Sequence, residues 1–257
     1  LSACFGSLSF IHHKEENFIM KLKKIASLAL AGVMAVSMLT ACGGNTISDD
    51  QQGNKPEEPT ASAYSTVMES KLSAHAQDKI DMSDDADLTA ALNYVVGNVG
   101  NNAVTQEFWK TMSDGRIHFI DGKAAPVLKL VNTKLYDKMS AKAEWEGSAT
   151  GVINHLNPTK TNTGDYNYYT KNDVNAVLLY AVDGGVELEN AIEQVANDID
   201  QAIVDLTDEY KLNTTSDGAT TNFHYTGSVA TCTKTFESGH GLSVTFIAVE
   251  IVRHIGK

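Results

Sequence analysis

The chain has 257 residues, 20 of them basic and 32 acidic, for a formal net charge of −12 at neutral pH. So acidic a balance repels a polyanion and sets aside a nucleic-acid partner. The length suffices for one sizeable hydrophobic core.

Residues 1–19 precede Met20. Lys14-Glu15-Glu16-Asn17 back-translates to codons that can contain AGGAGG, a purine-rich ribosome-binding sequence, just upstream of the Met20 codon. Residues 1–19 therefore read as upstream sequence translated by misannotation, which leaves Cys4, His12 and His13 without a role. From Met20, the lysines Lys21, Lys23 and Lys24 are followed by an uncharged, largely apolar run over 25–39. That run is shorter than the roughly 20 apolar residues that span a bilayer, and small residues follow it, so 20–41 has the form of an export signal.

Leu39-Thr40-Ala41-Cys42 closes the run. The four residues resemble the lipobox of Gram-positive bacterial lipoproteins, many of them of uncharacterised function. The resemblance covers 20–42 and the polar stretch after it. It implies a diacylglyceryl group on Cys42, cleavage just before it, and an anchor at the extracytoplasmic face of the cell membrane. It implies nothing about activity, and no enzyme family is matched. Cleavage would remove 41 residues, among them four lysines and two glutamates, and leave 216 residues with a formal charge of −14. Cys232 would then be the one remaining thiol, read as a small buried hydrophobe.

Residues 43–60 are polar, acidic and punctuated by Gly and Pro, a composition that cannot bury enough surface to offset the entropy of ordering. Residues 42–60 are thus expected to be a lipidated cysteine with a flexible linker, and 61–257 a single globular domain. Tyr64, Met68, Leu72, Ala76 and Ile80 recur at four-residue spacing and predict a first helix over 64–80. Asp84 and Asp85 are N-cap candidates for a second, with Leu88, Leu92, Val95, Val96 and Val99 as its apolar stripe. A third helix is expected over 104–112. Residues 116–120, framed by Asp-Gly turns, predict a strand. Residues 127–139 fit either strand or helix, and 143–153 alternate as a strand would. Residues 154–172 form an Asn-, Thr- and Tyr-rich loop, and 174–182 fit a buried strand or a helix start.

Residues 186–212 carry the clearest signal, with Leu188, Ile192, Val195, Ile199, Ala202 and Leu206 on one face and acidic residues largely elsewhere, which predicts a long amphipathic helix. Residues 223–236 and 242–255 read as a hairpin about Gly239 and Gly241. The middle of the second strand is apolar on both alternating sets, which requires cover on both faces or a bulge near Ile247. The predicted fold is α+β: N-terminal helices, an antiparallel sheet of about four to six strands backed by one long amphipathic helix, and a C-terminal β-hairpin.

Familiar catalytic signatures are missing. There is no G-x-S-x-G elbow, no S-x-x-K with K-T-G, and no HExxH, CxxC or HxH beyond Cys42. A hairpin turning about Gly239 sets Cys232 opposite Phe246 and His224 opposite His254, which separates the cysteine from those histidines by roughly 26 Å. The His224 and His254 pair is the candidate metal site, though two ligands do not make one and a third, such as His118 or His155, must come from elsewhere. The cluster of Asp81, Asp84, Asp85 and Asp87 misses the spacing of a calcium loop. Glu144 and Glu146 flank Trp145 in a glycosidase-like composition. Tyr166, Tyr168 and Tyr169, with Trp145, are candidate ligand-binding residues offering flat faces to a glycan or protein. No cofactor is implied. The expected function is a non-catalytic binding or interaction module at the cell envelope. The alternative is a glycan- or wall-directed enzyme or substrate-binding protein with a site built from dispersed residues.

Overall fold

A computed structural model describes residues 63–100, 110, 112–120, 126–140, 152–158, 173–211, 220–237 and 241–256. The chain opens with helix α1 (Tyr64–Lys71), helix α2 (Ala74–Lys79) and the short strand β1 (Ile80–Met82). A single helix over 64–80 is therefore not formed. Leu72 is extended, Ser73 accepts the Ala76 N–H on its hydroxyl at 3.3 Å, and its own N–H donates to Asp200 at 2.7 Å. Serine gains more as a cap than inside a helix, and the tertiary bond to Asp200 fixes the break there. The stripe nonetheless serves its purpose, because Met68, Leu72, Ala76 and Ile80 are all buried in one core.

Helix α3 (Ala86–Gly97) starts at Asp85, whose carboxylate accepts the N–H groups of Asp87 and Leu88. Asp84 instead accepts the Ser65 N–H. At the other end Lys234 donates to the carbonyls of Val96, Gly97 and Val99, placing a cation at the negative pole of the helix. Strand β2 (His118–Phe119) lies within the predicted strand, and the ambiguous segment is helix α4 (Pro126–Ser140). The expected strand over 143–153 and helix over 104–112 fall mostly outside the described residues. Of those that are described, Lys110 and Met112 are helical, and Ile153 opens a 3-10 turn (Ile153–Leu156).

Strand β3 (Val174–Asp183) resolves the second ambiguity in favour of a buried strand. It reaches helix α5 (Leu188–Val204) through Gly184, where a Cβ would lie 2.5 Å from the Ser243 Cβ, so only glycine fits so close to the neighbouring strand. Helix α5 stops at Val204 rather than Leu212. Asn157 donates to the Asp205 carbonyl and accepts the Thr207 N–H, while Tyr225 donates to the Thr207 carbonyl at 2.6 Å. These bonds turn the chain into strand β4 (Glu209–Lys211). Strands β5 (Thr220–Phe236) and β6 (Leu242–Ile255) complete the fold.

The sheet runs β1-β5-β6-β3-β2, with β4 paired to the start of β5. It is antiparallel except at β1, which runs parallel to β5. The fold is α+β, as expected. The β5–β6 register is unbroken from Phe223 opposite Ile255 to Phe236 opposite Leu242, so there is no bulge near Ile247. The doubly apolar centre of β6 is explained by cover on both faces. On one face α1, α2 and α5 pack over Leu178, Tyr180, Val229, Ile247, Val249 and Ile251. On the other, α3 and α4 pack over Val177, Leu179, Ala230, Phe246 and Ala248. Cys232 lies buried in this second core, opposite Phe246.

Candidate polar site at the end of the sheet

The face covered by α3 and α4 changes character along the strands. Going from Phe246 toward the carboxyl end of β6, the residues on that face become Glu250, Val252 and His254. Beside them on β5 stand Ser228, Thr226 and His224, and beside them on β3 stand Val177, Asn175 and, just before the strand, Asp173. Strand alternation puts every second residue on one face, so polar residues from three strands meet there through pairing alone.

The outermost row is tied together by His254. Its Nδ1 lies 2.8 Å from Asp173 Oδ2 and its Nε2 lies 2.8 Å from the Thr226 hydroxyl. An ionised carboxylate only accepts, so the proton on a neutral ring sits on Nδ1, and Nε2 accepts from Thr226. The other Asp173 oxygen accepts the Ile255 N–H at 3.3 Å, which fixes the carboxylate from a second direction. The ring of His224 stacks on His254 at 4.8 Å between centroids, with 20° between the planes.

One row further in, Asn175 is 6% exposed and donates through Nδ2 to Glu250, itself 5% exposed, at 2.7 Å. The Asn175 Oδ1 is buried and accepts no hydrogen bond. Such an orphaned acceptor is costly unless a donor reaches it. On the opposite face, directly beneath this row, Arg253 is fully buried, donates to the Leu156 carbonyl and lies 4.5 Å from the Phe223 ring centre. Its neighbour Tyr225 has a phenol pushed up to about 12, chiefly by burial.

The two histidines proposed from sequence are thus brought together, but stacked rather than set to share a metal, because both His254 nitrogens already hold hydrogen-bond partners. His118 bonds Asp114 and lies on β2 opposite Ala181, eight residues of β3 from Asp173, or about 26 Å. No group of three or more His, Cys, Asp or Glu side chains among the described residues is placed to hold a metal. Cys42, Trp145, Tyr166, Tyr168 and Tyr169 lie outside the described residues, as do Glu144 and Glu146. Thr226 and Asp173 escaped the sequence reading. The alternation His224, Thr226, Ser228 was visible, but the partner aspartate appears only once β3 is known to lie beside β6.

A cavity of about 90 Å³ between α3 and α4, lined by Val95, Val99, Leu130 and Val131, is far smaller than the roughly 300 Å³ of ordinary ligand pockets. No described helix is long and apolar enough to cross a membrane. No known protein family, curated protein or solved structure matches this chain.

Proposed function

We propose that this chain is a lipid-anchored envelope protein. A diacylglyceryl group on Cys42 holds its α+β part at the extracytoplasmic face of the membrane, where the polar end of the sheet binds a hydroxyl-rich ligand, a glycan. The lipobox-like segment supports the anchor. The observation that carries the binding reading is the gathering of Asp173, His254, Thr226, Asn175 and Glu250 on one end of a sheet face whose middle is an apolar core. Its exposed acceptor, the Asp173 carboxylate, suits a ligand that donates hydrogen bonds and repels an anionic one.

Two experiments test the two parts. Full-length protein in its membrane fraction should be released to the soluble fraction by Cys42→Ala, and retention of that variant in the membrane contradicts the anchor. Purified protein should bind members of a glycan array, with affinity reduced at least tenfold by Asp173→Ala or His224→Ala. Both side chains are exposed enough for the fold to survive. Replacing Tyr166, Tyr168 and Tyr169 together tests whether aromatic stacking contributes, since they precede Asp173 by only a few residues. A silent array, or binding untouched by these changes, contradicts the glycan reading.

A further inference from the structure

We propose that Asp173, His254 and Thr226 form a nucleophilic relay that cleaves acyl esters of hydroxyl-rich carriers, with Thr226 Oγ1 as the attacking atom. The inference rests on the reading of this sheet end as the ligand face. A hydroxyl becomes a useful nucleophile when a base within hydrogen-bond reach takes its proton and a third group orients that base. All three conditions hold here. Thr226 Oγ1 lies 2.8 Å from His254 Nε2, and His254 Nδ1 lies 2.8 Å from Asp173 Oδ2. Asp173 cannot rotate freely, because its second oxygen holds the Ile255 N–H. The tautomer this carboxylate imposes leaves Nε2 as the acceptor, so the threonine hydroxyl donates to the imidazole.

The neighbours define the substrate class. The exposed Asp173 carboxylate disfavours an anionic ester and suits a carrier whose hydroxyls donate hydrogen bonds. Thr226 Oγ1 attacks the ester carbonyl carbon while its proton passes to His254 Nε2. The exposed His224 ring on the same face offers an N–H to the oxygen that becomes negative. When the C–O bond to the carrier breaks, the departing alkoxide takes the proton from His254 and leaves an acyl-threonine. Water then attacks that ester, giving its proton to His254, and the carboxylic acid departs as Thr226 regains a proton. The net reaction is ester plus water to acid plus alcohol. Thr226 and His254 are the catalytic residues, and Asp173 is a positioning residue.

Intact full-length protein is treated with a fluorophosphonate, which forms a Thr226 Oγ–P bond as the P–F bond breaks and fluoride leaves with the proton accepted by His254. Mass spectrometry should find one adduct, on Thr226. The wild type and Thr226→Ser should be labelled, Thr226→Val should not, and His254→Gln should hydrolyse p-nitrophenyl acetate at least about 100-fold more slowly. Asp173→Asn should slow hydrolysis and move the His254 proton to Nε2 in nitrogen NMR, a change that a mere loss of packing does not produce. Unlabelled wild type, labelling equal in His254→Gln, or hydrolysis surviving in Thr226→Val would each overturn the relay. If glycans still bind while no adduct forms, the relay alone falls and the binding reading stands.

Discussion

Gly227 offers a quantitative check on how β1 closes the sheet. It sits on β5 opposite Met82 of β1, and a Cβ there would run into Met82 Sδ while lying 2.8 Å from Ile80 Cδ1 and 3.2 Å from Met82 Cε. Unstrained carbon contacts lie at about 3.5–4.0 Å, so Gly227→Ala demands displacement of about an ångström. Ile80 is 1% exposed and has nowhere to go, whereas half-buried Met82 can swing toward solvent. Overpacking of this kind costs about 1–3 kcal/mol, while relief of glycine backbone entropy in a strand returns about 0.5–1 kcal/mol. The net expectation is a loss of about 1–2 kcal/mol, or a fall in Tm of roughly 2–8 °C for a domain of this size. Met82→Ala alone should also destabilise, but the Gly227→Ala/Met82→Ala pair should lose about 1 kcal/mol less than the sum of the two singles, because truncating Met82 opens most of the needed space. Urea unfolding followed by circular dichroism reads all four proteins. Wild-type stability of Gly227→Ala, or strict additivity in the pair, would refute the parallel β1–β5 contact.

Other expectations follow from single interactions. Lys234→Met should lower stability by about 1–2 kcal/mol, because three carbonyls at the end of α3 lose a charged donor, and hydrogen exchange should quicken in the last turn of α3 first. Unchanged exchange there would contradict the capping role. The Tyr225 phenol is raised from 10.0 to about 12, so the folded state favours its neutral form. That contribution is full below pH 10 and is lost as the pH climbs through 12, so the urea midpoint should fall across this window and fall less in Tyr225→Phe. Tyr180→Phe removes a 2.7 Å bond to Asp198 at the sheet–helix boundary and should cost about 1 kcal/mol in urea unfolding, with no loss contradicting that bond.

The parts of the fold that were legible in the sequence are those governed by local period and turn chemistry. The glycines between the two β-rich runs gave the β5–β6 register well enough to place Cys232 opposite Phe246 and His224 opposite His254, and the stripe of α5 located the helix that backs the sheet. Helix ends were less legible. The first and fifth helices end at Lys71 and Val204 because of bonds to Asp200, Asn157 and Tyr225, groups remote in the chain or across the sheet. The strand over 174–183 was ambiguous because burial on both faces erases alternation. The relay was invisible for a related reason. Positions 173, 226 and 254 share no local motif, and only pairing of β3 and β5 with β6 brings the Asp173 and Thr226 side chains within 3 Å of the His254 imidazole.

The central claim is that His254 is held between a carboxylate that accepts a hydrogen bond from its Nδ1–H and a hydroxyl that donates to its Nε2. Nitrogen-15 NMR of the histidine side chains at neutral pH measures this directly. The account predicts that the neutral form of the His254 ring carries its proton on Nδ1 and accepts at Nε2, whereas a neutral ring protonated on Nε2, or exchanging between tautomers as a free surface histidine does, would contradict it.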